Sequence, residues 1–280
     1  MAYLTKTSSV NLHLLQIHCL RITTSFGIEG KLVILFEVIL LSAAAFLAGT
    51  LNSIAGGGSF LTFPALVYIG IPPISANATS AVAVFPGYLS GAFGFVKELK
   101  TYGLRQLGTL IFLAAIGGVL GALLLLVTPN DIFKLIIPYL LLFATGLFAF
   151  GDKITIYLAS KGKTQKSKNW ILTLFVSTYG GYFNGGLGIV LLALFSVLGY
   201  RDLNLMNGLK NVLSFILSAA SIITFAFADI VDWEWALIMM VSATIGGYFG
   251  AVIARKMPKQ LVRNLIIFIG LFMSAAFYFM

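Results

Sequence analysis

The chain has 280 residues, of which 59% are hydrophobic and 10% charged, and its mean hydropathy is +1.00. This composition leaves too little polar surface to cover a water-soluble globule, so it predicts a multi-pass protein of the cell membrane. The net charge of +9 comes from short basic clusters between apolar runs, a pattern typical of cytoplasmic loops rather than of nucleic-acid binding. Cys19 is the only cysteine, and both histidines, His13 and His18, lie near the N-terminus, so neither an internal disulfide nor a zinc site is expected.

The apolar runs fall into two series. Residues 1–31 form an N-terminal leader, for which an amphipathic surface helix and a disordered segment both remain open. The first series, predicted as a membrane repeat at 32–151, has runs at about 32–51, 59–71, 75–96, 104–127 and 132–151. After a basic, cytoplasmic linker at 152–169, the second repeat, 170–280, has runs at about 170–187, 188–200, 203–228, 235–254 and 261–280.

The two series are also related in sequence. IGGVLGA at 116–122 corresponds to IGGYFGA at 245–251, Pro129 to Pro258, and Lys134 to Arg263, and the separation along the chain is the same in every pair. A constant separation of this kind is the signature of an internal repeat. We therefore expect two related halves joined by the linker.

Loop charges predict that the halves are inverted. The loop after the third run is basic in the first half, with Lys97, Lys100 and Arg105, and acidic in the second half, with Asp229, Asp232 and Glu234. Because basic loops stay in the cytoplasm, the halves must have opposite orientations and an odd number of crossings. We therefore count the short runs as spanning with unwound backbone, although this places the leader outside. The alternative is a re-entrant run and four crossings per half.

The predicted fold is an all-α polytopic membrane protein with two inverted repeats of about five membrane segments each. Its helices are broken at two glycine-rich motifs, each beside a short run. The first break carries Asn52, Ser53, Gly57, Gly58 and Ser59, and the second carries Asn184, Gly185 and Gly186. Irregular backbone at membrane depth is tolerated only inside protein or along a polar cavity, and helix-start N–H groups favour anions. Close helix packing is the alternative role for glycine, and it suits the glycines of the paired IGGxxGA segments better.

The motifs resemble a known family. G-x-x-N…GGG…P…G-x-P-P…A-N-A-T-S at 49–80, GYFNGGLG at 181–188, NGLKN at 207–211 and the paired GGxxGA…P segments are similar to the sulfite exporter TauE/SafE family. The similarity covers roughly residues 38–280. It implies a plasma-membrane transporter of small anions, sulfite or organosulfonates among them, without identifying the substrate.

Polar residues after the breaks complete the candidate site. They are Asn77, Thr79 and Ser80 in the first half and Asn207, Lys210 and Asn211 in the second. Lys210 lies about 10 Å inside its run at a rise of ~1.5 Å per residue, so it either snorkels to the interface or supplies a counter-charge for an anion.

Function follows from these residues and the resemblance. We expect a secondary transporter, an exporter, of small sulfur-containing anions, with the bilayer as its environment and a proton or sodium ion as a candidate coupling ion. A passive anion channel and an uptake permease for another small anion are the alternatives. An enzyme is not expected, because the apolar runs hold no histidine, cysteine or paired carboxylates. No cofactor and no nucleic-acid partner are expected.

Overall fold

The computed structural model describes residues 28–54, 57–160, 170–254 and 259–279, and within them the chain is helical and has no strand. Most of the predicted leader and residues 161–169 of the predicted linker lie outside the described residues. The helices are α1 (Ile28–Ile54), α2 (Ser59–Tyr68), α3 (Pro73–Phe93), α4 (Val96–Thr101), α5 (Leu104–Val127), α6 (Asn130–Ser160), α7 (Trp170–Tyr182), α8 (Leu187–Val197), α9 (Leu203–Phe227), α10 (Trp233–Ala254) and α11 (Lys259–Phe279).

Several helices are suited to a bilayer. Four segments are long and apolar enough to cross one: Gly30–Asn52, Arg105–Val127, Asn130–Leu147 and Asn204–Phe227. Large apolar side chains also point outward, among them Phe175, which is 71% exposed, and Phe227, which is 89% exposed. Exposed side chains of this kind are stable against lipid and unstable in water. The prediction of an all-α, multi-pass membrane protein is therefore confirmed.

The chain divides into two compact units, Met1–Leu40 and Leu41–Met280. The first unit contains the N-terminal part of α1. The second contains the rest of that helix and the bundle that holds the candidate site.

Local sequence explains where the helices begin and end. Pro72 and Pro73 open α3, because a proline at the first helical position has no N–H to leave unsatisfied. The side chain of Asp202 accepts hydrogen bonds from two N–H groups in the first turn of α9. Helices α2 and α8 both end at a glycine in the left-handed region, Gly70 with φ 92° and Gly199 with φ 86°.

Helices α3 and α9 pack against each other in opposite directions. Phe85 stacks on Phe215 with ring centroids 4.6 Å apart, and Gly91 packs against the side chain of Asn211. Since the residue number rises along α3 as it falls along α9, the two helices are antiparallel. Helix α10 packs on α3, and α5 packs on α9.

Helices α5 and α7 are parallel and in close contact through glycines. A Cβ at Gly117 would lie 2.3 Å from Ser177, and one at Gly121 would lie 2.1 Å from the Thr178 carbonyl oxygen. Glycine is therefore required at these positions in α5, as expected for tightly packed membrane helices. The packing role considered for these glycines is the one that the structure supports.

The loops between helices lie at two opposite ends of the bundle. Tyr102 and Tyr200 share a hydrogen bond between their hydroxyls, so the segments at 94–103 and 198–202 lie together at what we call the basic end. At the opposite, acidic end, the Ile74 N–H donates to Asn130 Oδ1 at 3.4 Å. There too the Asp232 N–H donates to Thr79 Oγ1 at 3.0 Å.

Helices α7 and α8 form a hairpin that returns to the end of the bundle where it starts. Because α5 and α7 are parallel, α7 starts at the basic end, and Tyr200, just after α8, lies at that same end. Helix α8 has 11 residues and would extend only about 16 Å, about half the hydrocarbon thickness. The structure thus differs from the predicted crossing of residues 188–200 with unwound backbone. The chain instead reverses at residues 183–186, where contacts inside the protein satisfy the polar backbone groups.

Candidate functional site

The two glycine breaks meet inside the bundle. Ser59 Oγ, at the start of α2, donates a 2.9 Å hydrogen bond to the backbone carbonyl of Asn184 in the second break. Phe60 lies against Gly186, whose φ of 70° is left-handed. Two breaks that are distant in sequence, and that belong to different predicted halves, therefore share one buried region.

Asn184 is the centre of this region and is 3% exposed. Its backbone N–H donates to Asn77 Oδ1 at 3.4 Å, and its side-chain Oδ1 accepts from Tyr88 Oη at 3.2 Å. Asn77 Nδ2 donates to the Tyr182 carbonyl at 3.1 Å. Asn184 Nδ2 has no hydrogen-bond partner among the described residues, so a buried donor remains available at the break.

The backbone around the second break is held by a side chain from α7. Tyr179 Oη donates to the Gly185 carbonyl at 2.9 Å, and the Leu187 N–H bonds to the Asn184 carbonyl at 3.3 Å. A Cβ at Gly186 would lie 2.6 Å from Ala144 Cβ on α6. The turn is therefore fixed by hydrogen bonds and by close packing.

The first break turns back on α1. The Gly58 N–H donates to Asn52 Oδ1 at 2.9 Å, and a Cβ at Gly58 would lie 2.3 Å from the Ala48 carbonyl oxygen. The carbonyl of Gly57 accepts from the Phe60 N–H in the first turn of α2. Ser53 lies in the last turn of α1. Asn52 thus closes the break in the manner of a helix cap.

A small pocket lies beside Asn52, between α1, α3 and α10, and is lined in part by Gly49, Ser90 and Thr244. Its volume of about 30 Å³ has room for one or two water molecules.

Thr79 and Ser80 attach α3 to its neighbours. Ser80 Oγ shares a 2.6 Å hydrogen bond with Thr62 Oγ1 on α2, and Thr79 Oγ1 accepts from the Asp232 N–H at the start of α10. Both side chains are buried. Their hydrogen bonds already join helices.

Lys210 lies on α9, and its hydrogen bond is to a residue of the same helix. It is 6% exposed, and its Nζ donates to Asn207 Oδ1 at 3.1 Å, while Asn211 packs against Gly91 of α3. Within the described part of residues 41–280, Lys210 is the one charged side chain that is buried. No carboxylate of a described residue pairs with it. The low exposure argues against the snorkelling alternative.

The predicted site residues therefore form two groups. Ser59, Asn77, Asn184, Gly185 and Gly186 come together at the meeting point of the breaks, which we call the break centre, and Asn207, Lys210 and Asn211 lie on α9. A family model described as "Sulfite exporter TauE/SafE" matches residues 41–277, which include both groups. The chain belongs to the sulfite exporter TauE/SafE family.

Relatives of this TauE/SafE protein are named as transporters. A "Probable membrane transporter protein" of Haemophilus influenzae is 29% identical over 242 residues, which is 84% of this chain and 92% of the relative. "Probable membrane transporter protein ORF9" of a Sinorhizobium species is 29% identical over 240 residues, or 82% of this chain and 88% of the relative. "Probable membrane transporter protein YfcA" of Escherichia coli K12 is 26% identical, covering 82% and 86%. No solved structure gives a significant match. The protein is thus a membrane transporter by family.

Three polar residues of this TauE/SafE protein escaped the sequence reasoning. Tyr88 bonds the amide of Asn184, and Ser214 and Ser218 are buried on α9. The serines had a signal: with Lys210 they recur at every fourth position, on one face of a helix. Tyr88 had none, because only the fold brings α3 against the second break.

Proposed function

We propose that this protein is a secondary transporter, working as an exporter, of small sulfur-containing anions such as sulfite or organosulfonates. Transport proceeds by alternating access around the break centre. The observation that carries the proposal is the hydrogen bond from Ser59 Oγ to the Asn184 carbonyl, which joins the break of one half to the break of the other. In transporters with internal repeats, binding sites lie where discontinuous helices of the two halves meet.

Matching contacts in the two halves support the repeat. Gly118 packs on Gly181, and Gly247, its counterpart in the second IGGxxGA segment, packs on Gly49. Gly49 and Gly181 open the corresponding GTLN and GYFN motifs. Phe85 and Phe215, which occupy equivalent positions on α3 and α9, stack on each other as residues on a two-fold axis would.

The helix ends support inverted halves. If α1 with α2, and α7 with α8, each form a hairpin that returns to its own side, three further long helices remain in each half: α3, α5 and α6, then α9, α10 and α11. Three is odd, so the halves have opposite orientations. The loops at the basic end carry Lys97, Lys100 and Arg201, and those at the acidic end carry Asp131 and Asp229, so the basic end faces the cytoplasm.

The chemistry of the buried side chains suits an anion. Lys210 carries a positive charge that no described carboxylate neutralises, and Asn184 Nδ2 is an unpartnered donor. A buried ammonium is costly unless an anion or carbonyl groups compensate it. A sulfite or sulfonate group offers several acceptor oxygens, which Lys210 and Asn184 would bond in turn as the anion moves. The neutral amides of Asn77, Asn207 and Asn211 would supply further hydrogen bonds.

Transport by purified protein in proteoliposomes tests the proposal. Flux of radiolabelled sulfite should saturate with concentration, and unlabelled sulfite on the opposite side should accelerate it, because alternating access couples the two directions. Imposed proton and sodium gradients should then identify the coupling ion. Empty liposomes are the control. Flux that rises linearly and shows no counterflow would assign the protein to passive anion channels, and no sulfite, thiosulfate or sulfoacetate flux would reject a sulfur-anion substrate.

A further inference from the structure

Two buried serine hydroxyls near the middle of α9 have no hydrogen-bond partner among the described residues. Ser214 is 0% exposed and Ser218 is 2% exposed, and neither Oγ bonds another described atom. Buried serines in helices commonly bond the carbonyl one turn earlier, as Ser221 does with the Leu217 carbonyl at 2.8 Å. Buried polar atoms without partners are rare in native proteins and call for an explanation such as water or a ligand.

The two serines lie on the same helix as Lys210. Lys210, Ser214 and Ser218 are spaced by one helical turn and share one face of α9, so successive side chains are about 6 Å apart along the helix. Helix α9 faces α3 here, with Phe215 opposite Phe85 and Asn211 opposite Gly91.

Tyr88 connects this face of α9 to the second break. The antiparallel pairing of Phe85 with Phe215 and of Gly91 with Asn211 places Tyr88 at the height of residues 212–214 along the helix pair. The Tyr88 hydroxyl bonds Asn184, whose Nδ2 also has no partner among the described residues. Lys210, Ser214 and Ser218 thus place an ammonium and two hydroxyls along one face of α9, and Tyr88 joins the neighbouring α3 to the amide of Asn184.

This series of groups has the chemistry of a path for an oxyanion. Each group donates hydrogen bonds, and no described carboxylate accompanies them within residues 41–280 at a buried position. An anion with several oxygens can bond two successive groups at once, so it can move from one to the next without losing all of its partners. A bare cation would instead need a series of acceptors.

We propose that Ser214 and Ser218 line the path of the transported oxyanion between Lys210 and the break centre, each hydroxyl donating to an anion oxygen. This inference rests on the proposed transport function. It adds two positioning residues that the glycine motifs do not contain.

The test compares Ser214→Ala and Ser218→Ala with Ser221→Ala, on the same face of the same helix. Sulfite affinity and melting temperature are measured on purified full-length protein in detergent. Each of the first two changes should weaken sulfite binding about tenfold, the effect of losing one hydrogen bond to a charged group. Neither should lower the melting temperature, since removing a hydroxyl without a partner costs the fold nothing.

Ser221→Ala should show the opposite pattern. Its hydroxyl also donates to the Gly118 carbonyl of α5 at 3.1 Å, so its loss should lower the melting temperature and leave sulfite affinity within about twofold. Wild-type affinity in Ser214→Ala and Ser218→Ala would overturn the inference and assign the hydroxyls to buried water. Parallel loss of affinity and melting temperature would also overturn it. Failure of the wild-type protein to bind sulfite, thiosulfate or sulfoacetate would instead reject the proposed function itself.

Discussion

At the scale of single residues, Lys210 is the charge on which anion recognition depends in our proposal. Lys210→Gln should weaken sulfite affinity by more than tenfold, because it removes the buried positive charge and keeps a side chain of similar length. Lys210→Arg should retain part of the affinity. The measurement is a binding isotherm in detergent, with exposed Lys97→Gln on α4 as the control. Equal affinities in wild type, Lys210→Gln and Lys97→Gln would leave anion recognition to the amides and backbone.

Tyr88 provides a second prediction at this scale. Tyr88→Phe keeps the ring and removes the hydroxyl that donates to Asn184 Oδ1. The buried amide then loses its orienting partner, so stability should fall by roughly 1–3 kcal/mol and sulfite affinity several-fold. Thermal unfolding and the same binding isotherm measure both effects. Tyr248→Phe, at a residue that is 74% exposed, is the control and should change neither. A Tyr88→Phe protein identical to wild type would show that the hydroxyl does not position Asn184.

The site residues that could be predicted from the sequence are polar residues that stand beside glycines within apolar runs. Asn184 and Ser59 stand beside glycines in an apolar context, and this context alone marked them as candidates. Ser59 and Asn184 are joined by a hydrogen bond, whereas Lys210 bonds Asn207 of its own helix. A shared sequence motif does not tell at what height in the bundle a residue lies. For the residues of α9, that height is set by the antiparallel register of α3 and α9.

At the scale of helices, the predicted runs and the described helices agree closely except at the short ones. The sequence limits residues 188–200 to a short helix, but it does not say whether the chain continues or returns. The returning direction follows from contacts made far away in sequence, such as Tyr102 with Tyr200. Helix α6 also continues through residues 152–160 of the predicted linker. Charged residues there do not stop a helix that has emerged from the bilayer.

Glycine substitutions in α5 test its packing against α7. A Cβ at Gly121 would meet α7 backbone at 2.1 Å, whereas Gly108 of the same helix has nothing within 4 Å. Gly121→Ala should therefore destabilise the protein by about 1–3 kcal/mol through overpacking. Gly108→Ala should be neutral or stabilise it by up to about 1 kcal/mol, because alanine favours the helix. Detergent melting curves compare the two. Similar melting temperatures would contradict the tight α5–α7 contact.

At the scale of the whole molecule, helices of the first predicted half pack on helices of the second. Helix α5 packs on α7 while α10 packs on α1, and α6 packs on α8 while α11 packs on α2. Each helix of one half is thus supported by the other half, and neither half is a self-contained bundle. Movement of one half against the other would change the environment of the break centre, which is what alternating access requires.

The inverted arrangement that we propose predicts which loops are reached from each side of the membrane. In a Cys19→Ser background, single cysteines at Lys97 and Arg201 belong to the basic end, and cysteines at Asn130 and Asp229 belong to the acidic end. Because basic loops remain in the cytoplasm, an impermeant maleimide added to intact cells should label the acidic-end pair alone. Permeabilised cells should label all four, which controls for accessibility.

The same four positions test whether the two halves have opposite orientations. Lys97 and Asn130 are separated by α5, and Arg201 and Asp229 are separated by α9. Labelling of Asn130 and Arg201 from one side, with Lys97 and Asp229 from the other, would make the halves parallel and remove the basis for alternating access between inverted repeats.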